Sequence, residues 1–166
     1  MGFINIFETY KDKIKEMFVT NKDLCKLISY NVGNPLEQSD IRNPYELFDK
    51  HILFKHKNFE SIKDEETFVM INFMNSPISK SVLFKQTSII FTIATHNNIE
   101  ELGDGSNRAY AIADKIDEFM CGNVNIGYKA IQNKGLRSVD VGNNDFVGYN
   151  LIYTTHSMGY NYNNNN

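Results

Sequence analysis

Residues 87–120 change hydrophobic period once, from two to about 3.6, and that change limits what the chain can fold into. Thr87–His96 alternates as a strand does: Ile89, Phe91 and Ile93 fall on one face, and Ile90, Thr92, Ala94 and His96 on the other. A polar break follows at 97–107. Beyond it Ala109, Ile112, Ala113, Ile116, Phe119 and Met120 recur at helical spacing, while Asp114, Lys115, Asp117 and Glu118 fall mostly outside that stripe. A strand and an amphipathic helix joined by a short loop each need an apolar partner. They are the natural centre of an α+β domain.

The rest of the chain can be placed around that pair. Residues 3–18 carry Phe3, Ile6, Phe7, Tyr10, Ile14, Met17 and Phe18 at helical intervals, predicting a helix packed on the sheet, with a partner-binding helix as the alternative. Asn21 is placed to cap a second helix through Leu24, Leu27 and Ile28. Residues 31–66 read as a long irregular arm, rich in turn formers, with a short helix starting at Asn43-Pro44 and a short strand within His51–Lys57. Thr67–Met74 is a strand apolar on both faces, Asn75–Lys80 a turn around Pro77, and Val82 onward the return strand. Ser106 or Asn107 caps the central helix and Cys121-Gly122 ends it. Tyr128–Val139 and Phe146–Ser157 form a closing hairpin around Gly142–Asp145. The expected fold is therefore α+β: an antiparallel or mixed β-sheet packed by helices, in one domain over 1–160. An asparagine-rich tail at 161–166 has nothing to bury and is expected to be mobile.

Composition narrows function by exclusion. A net charge of −3, with Lys and Arg scattered among acids, argues against a general nucleic-acid binder. The N-terminus lacks a basic signal-peptide region, and no apolar run approaches a membrane span, so a cytoplasmic site of synthesis and no membrane partner are expected. Cys25 and Cys121 have no metal spacing and are expected to be free thiols, buried or half-buried.

A search for chemistry yields little. No P-loop, GxSxG or HExxH is present. Gly103–Ser106 lacks the lysine of a phosphate cradle and sits among Glu100, Glu101 and Asp104, so it reads as a turn and cap. His96 and His156 both end strands, and a metal-dependent enzyme built on them and the nearby acids is one alternative. His51–Phe59 interleaves basic and aromatic residues, a pattern that can stack single-stranded nucleic acid, but acids follow at once and a mixed-charge surface strand is the plainer reading. No catalytic residue, cofactor or metal is expected. The arm carries Ile41, Tyr45, Leu47, Phe48, Ile52 and Phe54 despite its irregularity, which makes these residues candidates for contact with a neighbouring subunit.

The strand Ser88–Thr95, the helix start Ala109-Tyr110-Ala111-Ile112-Ala113-Asp114-Lys115-Ile116 and the closing pair around Arg137 and Phe146–Thr155 resemble phage tail terminator and tail-completion proteins of the neck. Asn43–Lys50 is similar to virion proteins of phages from low-GC Gram-positive hosts. The resemblance covers roughly Thr67–Met158. It implies a structural virion protein at the tail–neck junction, assembled in the host cytoplasm, without active site or cofactor. Its copies would form a six-fold ring capping the tail tube. The implied partners are the chain itself, the tail tube protein, a neck or connector protein and, where a tail is contractile, a sheath protein. DNA would pass through the lumen without specific binding. Glu100, Glu101 and Asp104 are then candidates for axial or lumen contacts, since like charge disfavours phosphate. Another neck ring, a head-closure or adaptor protein, is the alternative within the same class.

Overall fold

Alternation at 67–78, 81–96 and 146–158 builds three long strands, and the sheet they form carries everything else. In the computed structural model, which describes residues 3–78 and 81–158, the elements run α1 (Phe3–Thr20), α2 (Lys22–Ser29), β1 (Ile52–Leu53), β2 (Thr67–Ile78), β3 (Ser81–His96), α3 (Arg108–Met120), β4 (Gln132–Val139) and β5 (Phe146–Met158). The sheet order is β1-β2-β3-β5-β4. β1 runs parallel to β2 and the other neighbours are antiparallel, so the sheet is mixed and the fold α+β, as expected. The expected tail at 161–166 lies outside the described residues.

Local signals set the helix ends. The Asn21 side chain accepts from Leu24 N–H at the start of α2, and Asn107 accepts from Tyr110 N–H at the start of α3. α3 ends at Cys121, and Gly122 takes φ +74°, a conformation that costs glycine nothing. Two strand boundaries depart from the sequence reading. β2 runs through Pro77 to Ile78, where a turn was expected, and β4 begins at Gln132 rather than Tyr128. Before β4, Ile131 N–H is bonded to Asn123 O and Tyr128 N–H to His156 O, so that stretch braces the end of α3 and β5 instead of extending the ladder.

All three helices cover one sheet face. Val69, Ile71, Ile89, Phe91, Ile93, Leu151 and Tyr153 meet Ile14, Phe18, Leu24, Leu27, Ile28, Ile112 and Ile116 in one apolar core. Phe18 packs on both Phe91 and Phe119, with ring centroids 6.0 and 5.5 Å away. The opposite face is treated unequally. At one end the arm folds over it, and Phe59 joins Leu53, Phe68, Met70, Ala94 and Phe146 in a second, smaller core. Asn143 Nδ2 donates to Phe59 O (2.7 Å) and Ile62 O (3.1 Å), stapling the β4–β5 turn to the arm. Further along, Asn72, Met74, Ser76, Gln86, Ser88, Ile90 and Ile152 have no such cover, and none is buried.

Arg108, at the first position of α3, is fully buried, and among the described residues no carboxylate pairs with it. It donates to four carbonyls: Nε to Ile99 O (2.7 Å), Nη1 to Leu27 O (2.9 Å) and Tyr30 O (2.7 Å), and Nη2 to Val32 O (2.6 Å). Three of these carbonyls belong to the end of α2 and the residues just after it, where a cation offsets the helix dipole. Burial lowers the guanidinium's affinity for its proton, yet arginine stays charged, so the four carbonyls carry its solvation. One side chain thus fixes α2, the 3-10 turn Asn97–Ile99 and α3 relative to each other.

Candidate functional site

The arm residues expected at a subunit interface are largely consumed by the chain's own fold. Leu47 and Ile52 are 5% and 1% exposed and sit in the main core. Their burial comes from the 3-10 turn Pro44–Leu47 and from the β1–β2 pairing, and it requires no neighbouring subunit. Ile41, Phe48 and Phe54 are half-buried against the same core. Phe48 stacks on Phe54, and Phe54 on Phe73. Of the six, only Tyr45 is well exposed, at 57%.

The acidic residues separate. Glu100 and Glu101 line an open cleft of about 310 Å³ with Asn97, Gly105, Ser106 and Asn107. Asp104 borders a different cleft, beside Gly33–Glu37 and Leu102. Asp104 is tied to Ser106 through Oγ (2.6 Å) and N–H (2.9 Å), which hold its carboxyl below the usual range. Glu100 accepts from Asn107 Nδ2 and its carbonyl from Arg108 N–H, so this acid braces the start of α3. The loop is pinned at its base by buried Ile99 and Leu102.

The histidine pair does not form. His96 lies opposite Phe146 on β5, and His156 lies opposite Gln86 on β3. Since β3 and β5 are antiparallel, the two imidazoles sit at opposite ends of the sheet, about 33 Å apart at the rise of an extended strand. A single ion cannot be shared between them. His96 is buried, its Nδ1 accepting from Asn98 N–H and its ring edge-on to Phe146. Among the described residues no group of three or more His, Cys, Asp or Glu is placed to hold a metal. The basic-aromatic stretch turns its rings inward: Phe59 is 1% exposed, and Lys57 Nζ sits 3.7 Å above the Phe68 ring. Cys25 is buried, its thiol pushed up to about 11 by desolvation, but Cys121 is exposed, against expectation, because it is the cap of α3.

One groove on the helix side was missed by sequence reasoning. Between α3 and β4 runs a groove of about 350 Å³ lined by Tyr110, Ala113, Asp114, Asp117, Asn133, Leu136 and Leu151. Asp117 accepts from Tyr153 Oη (2.6 Å) and Asn133 Nδ2 (2.7 Å), holding β4 and β5 against the helix. At the rim, Tyr110 meets Tyr149 edge-on, and the hydrogen bond between them pushes the Tyr149 hydroxyl up to about 12. The alternation of Asp114 and Asp117 against Ala113 was visible in the sequence. That β4 would leave a gap beside them was not.

A family model, YomW, matches residues 21–155. The chain belongs to the YomW family. That family is phage-derived, of the SPbeta-like Bacillus prophages, which is consistent with a phage protein. No curated protein matches the sequence. The YomW match opens at Asn21, the cap of α2, and closes at Thr155 within β5. The arm, the acidic loop and the α3–β4 groove all lie inside the YomW region, and α1 lies before it.

Proposed function

We propose that this YomW-family chain is a structural protein of the phage neck, a tail terminator whose copies form a ring that caps the tail tube and presents a second face to the head connector. The observation that carries the reading is the unequal cover of the sheet. Three helices and an arm fill one face and one end of the other, while Asn72, Met74, Ser76, Gln86, Ser88, Ile90 and Ile152 beyond that end are not buried and, among the described residues, no strand pairs with the outer side of β4 or with β2 beyond Met70. A subunit built to polymerise once and then stop needs a rigid body and surfaces left open for copies and for a tube. The phage origin of the family and the resemblance over Thr67–Met158 support the same reading. The function is then geometric. One ring face matches the tube, the other does not repeat it, and growth ends. In that ring the Glu100–Glu101 cleft faces the lumen.

The test is multi-angle light scattering and electron microscopy of the purified protein, alone and with tail tubes from an SPbeta-like phage. A closed six-fold annulus at one end of each tube is the expected result. A lone subunit that ignores tubes overturns the proposal, and an annulus that docks on the capsid connector alone reassigns it to head closure.

A further inference from the structure

Among the described residues, both outer edges of the sheet are unpaired over a short length. β1 stops at Leu53, opposite Met70, while β2 continues to Ile78. Val69 N–H points outward, to His51 O (2.8 Å), and Thr67 O points outward to His51 Nδ1 (3.1 Å). Because backbone direction alternates along a strand, Phe73 and Asn75 also turn N–H and C=O away from β3. Pro77 shares that phase, so its missing N–H falls on the outer side, where a strand tolerates proline. The same phase carries across the register Ile71–Phe91–Leu151–Leu136 and places the N–H and C=O of Leu136 and Ser138 on the outer side of β4. The rest of β4 is irregular: the register shifts between Asn133 and Leu136, around Gly135 at φ +103°. Each edge thus offers two regular rungs.

We propose that neighbouring copies join head to tail, the outer edge of β2 (Phe73, Asn75) pairing with the outer edge of β4 (Leu136, Ser138) of the next copy. The inference rests on the ring reading above and names the contact that closes it. Strand directions agree. β2 and β5 run one way and β3 and β4 the other, so β4 beside the β2 of the next copy extends an antiparallel ladder and keeps every helix on the same side. Charges agree as well. On that side, β2 is bordered by α1, whose Lys11 and Lys15 lie 5.3 and 5.7 Å from the Phe54 ring, next to Phe73. β4 is bordered by α3, whose exposed Asp114 lines the unfilled groove and whose exposed Glu118, one turn on, is paired with Lys115 (2.8 Å). Pairing the edges brings the lysines of one copy to the acids of the next. The contact is heterologous, and repeated by rotation it closes into a ring.

Two charge reversals test this by sedimentation velocity, with circular dichroism as the check on folding. Lys11→Glu with Lys15→Glu makes both borders acidic, and Asp114→Lys with Glu118→Lys makes both basic. Each double variant is expected to self-associate at least ten-fold more weakly than the wild type. Mixed one to one, they are expected to recover the ring, with the two kinds of copy alternating. Variants that each assemble as the wild type does, or that fold but fail to assemble even when mixed, overturn this contact while leaving the ring itself standing. A wild-type chain that stays monomeric alone and on tail tubes removes both.

Discussion

The two faces of the sheet solve different problems. The helix face is filled by side chains from α1, α2 and α3 and contains the fully buried Phe91 and Tyr153. The other face holds a six-residue core under the arm and then gives way to a mixed row, Asn72, Ile90 and Ile152, with Met74 52% exposed beyond it. The same three strands serve both, because alternate residues of one strand answer to different surroundings. Folding free energy is concentrated on one face, and freedom to meet partners is left on the other and at the edges. The comparison predicts that equal chemical changes on the two faces have unequal consequences.

The largest effect is expected at Phe91, which packs on Phe18 and, edge-on, on Tyr153. Phe91→Ala removes a buried ring from the centre of the main core and should cost about 4 kcal/mol in denaturant unfolding. Buried Cys25 supplies a direct readout, since its thiol is both covered and held near 11. Thiol reagent at pH 8 should modify Cys121 alone in the native chain, and Cys25 at a much increased rate in the variant.

Phe59→Ala makes a comparable cavity on the other face, but in a small core closed by the arm and the β4–β5 turn. The expected cost is smaller, about 2 kcal/mol, and regional. Hydrogen exchange should quicken over 54–66 and around Asn143 while α3 keeps its protection. Equal loosening of α3 would erase the distinction between the two faces.

How much of this division was legible in the sequence differs from element to element. The alternation at 87–96, the stripe at 109–120 and the caps Asn21, Asn107 and Gly122 are local signals, and local signals survive folding. Pro77 misled because a proline breaks a ladder only where its N–H would face a partner, and which side it faces is a property of the finished sheet. The arm's apolar residues were visible, but whether Leu47 and Ile52 were to be covered by this chain or by another is a tertiary fact. Arg108 left one unused clue: a cation at a helix N-terminus is unfavourable to the dipole, so its place there asked for a distant partner. The α3–β4 groove and the two open edges depend on strand order, which no local pattern encodes.

The packed face also contains a defect that sharpens the comparison. Thr67 and Thr95 lie directly opposite each other on β2 and β3, fully buried, and neither hydroxyl has a hydrogen-bond partner. Valine has nearly the same shape without the polar atom. Replacing both, Thr67→Val with Thr95→Val, should stabilise the fold by about 1 kcal/mol, because burying an unpaired hydroxyl is costly and an apolar pair is not. A destabilised double variant would mean that these hydroxyls have a use on the helix side.

The smallest effect belongs to the face that the helices leave alone. Met74 lies over Ser88 in the antiparallel register and is half exposed, so Met74→Ser removes little buried area and opens no cavity. The expected change in stability is within about 0.5 kcal/mol. A null effect on the isolated chain is informative only if the same residue matters elsewhere, and here the two readouts separate. If the open half of the sheet is a working surface of the ring, the variant should melt like the wild type and still bind tail tubes less tightly. Destabilisation of several kcal/mol in the monomer would show that this half is packed after all. The division between a face that folds and a face that meets partners would then have to be redrawn.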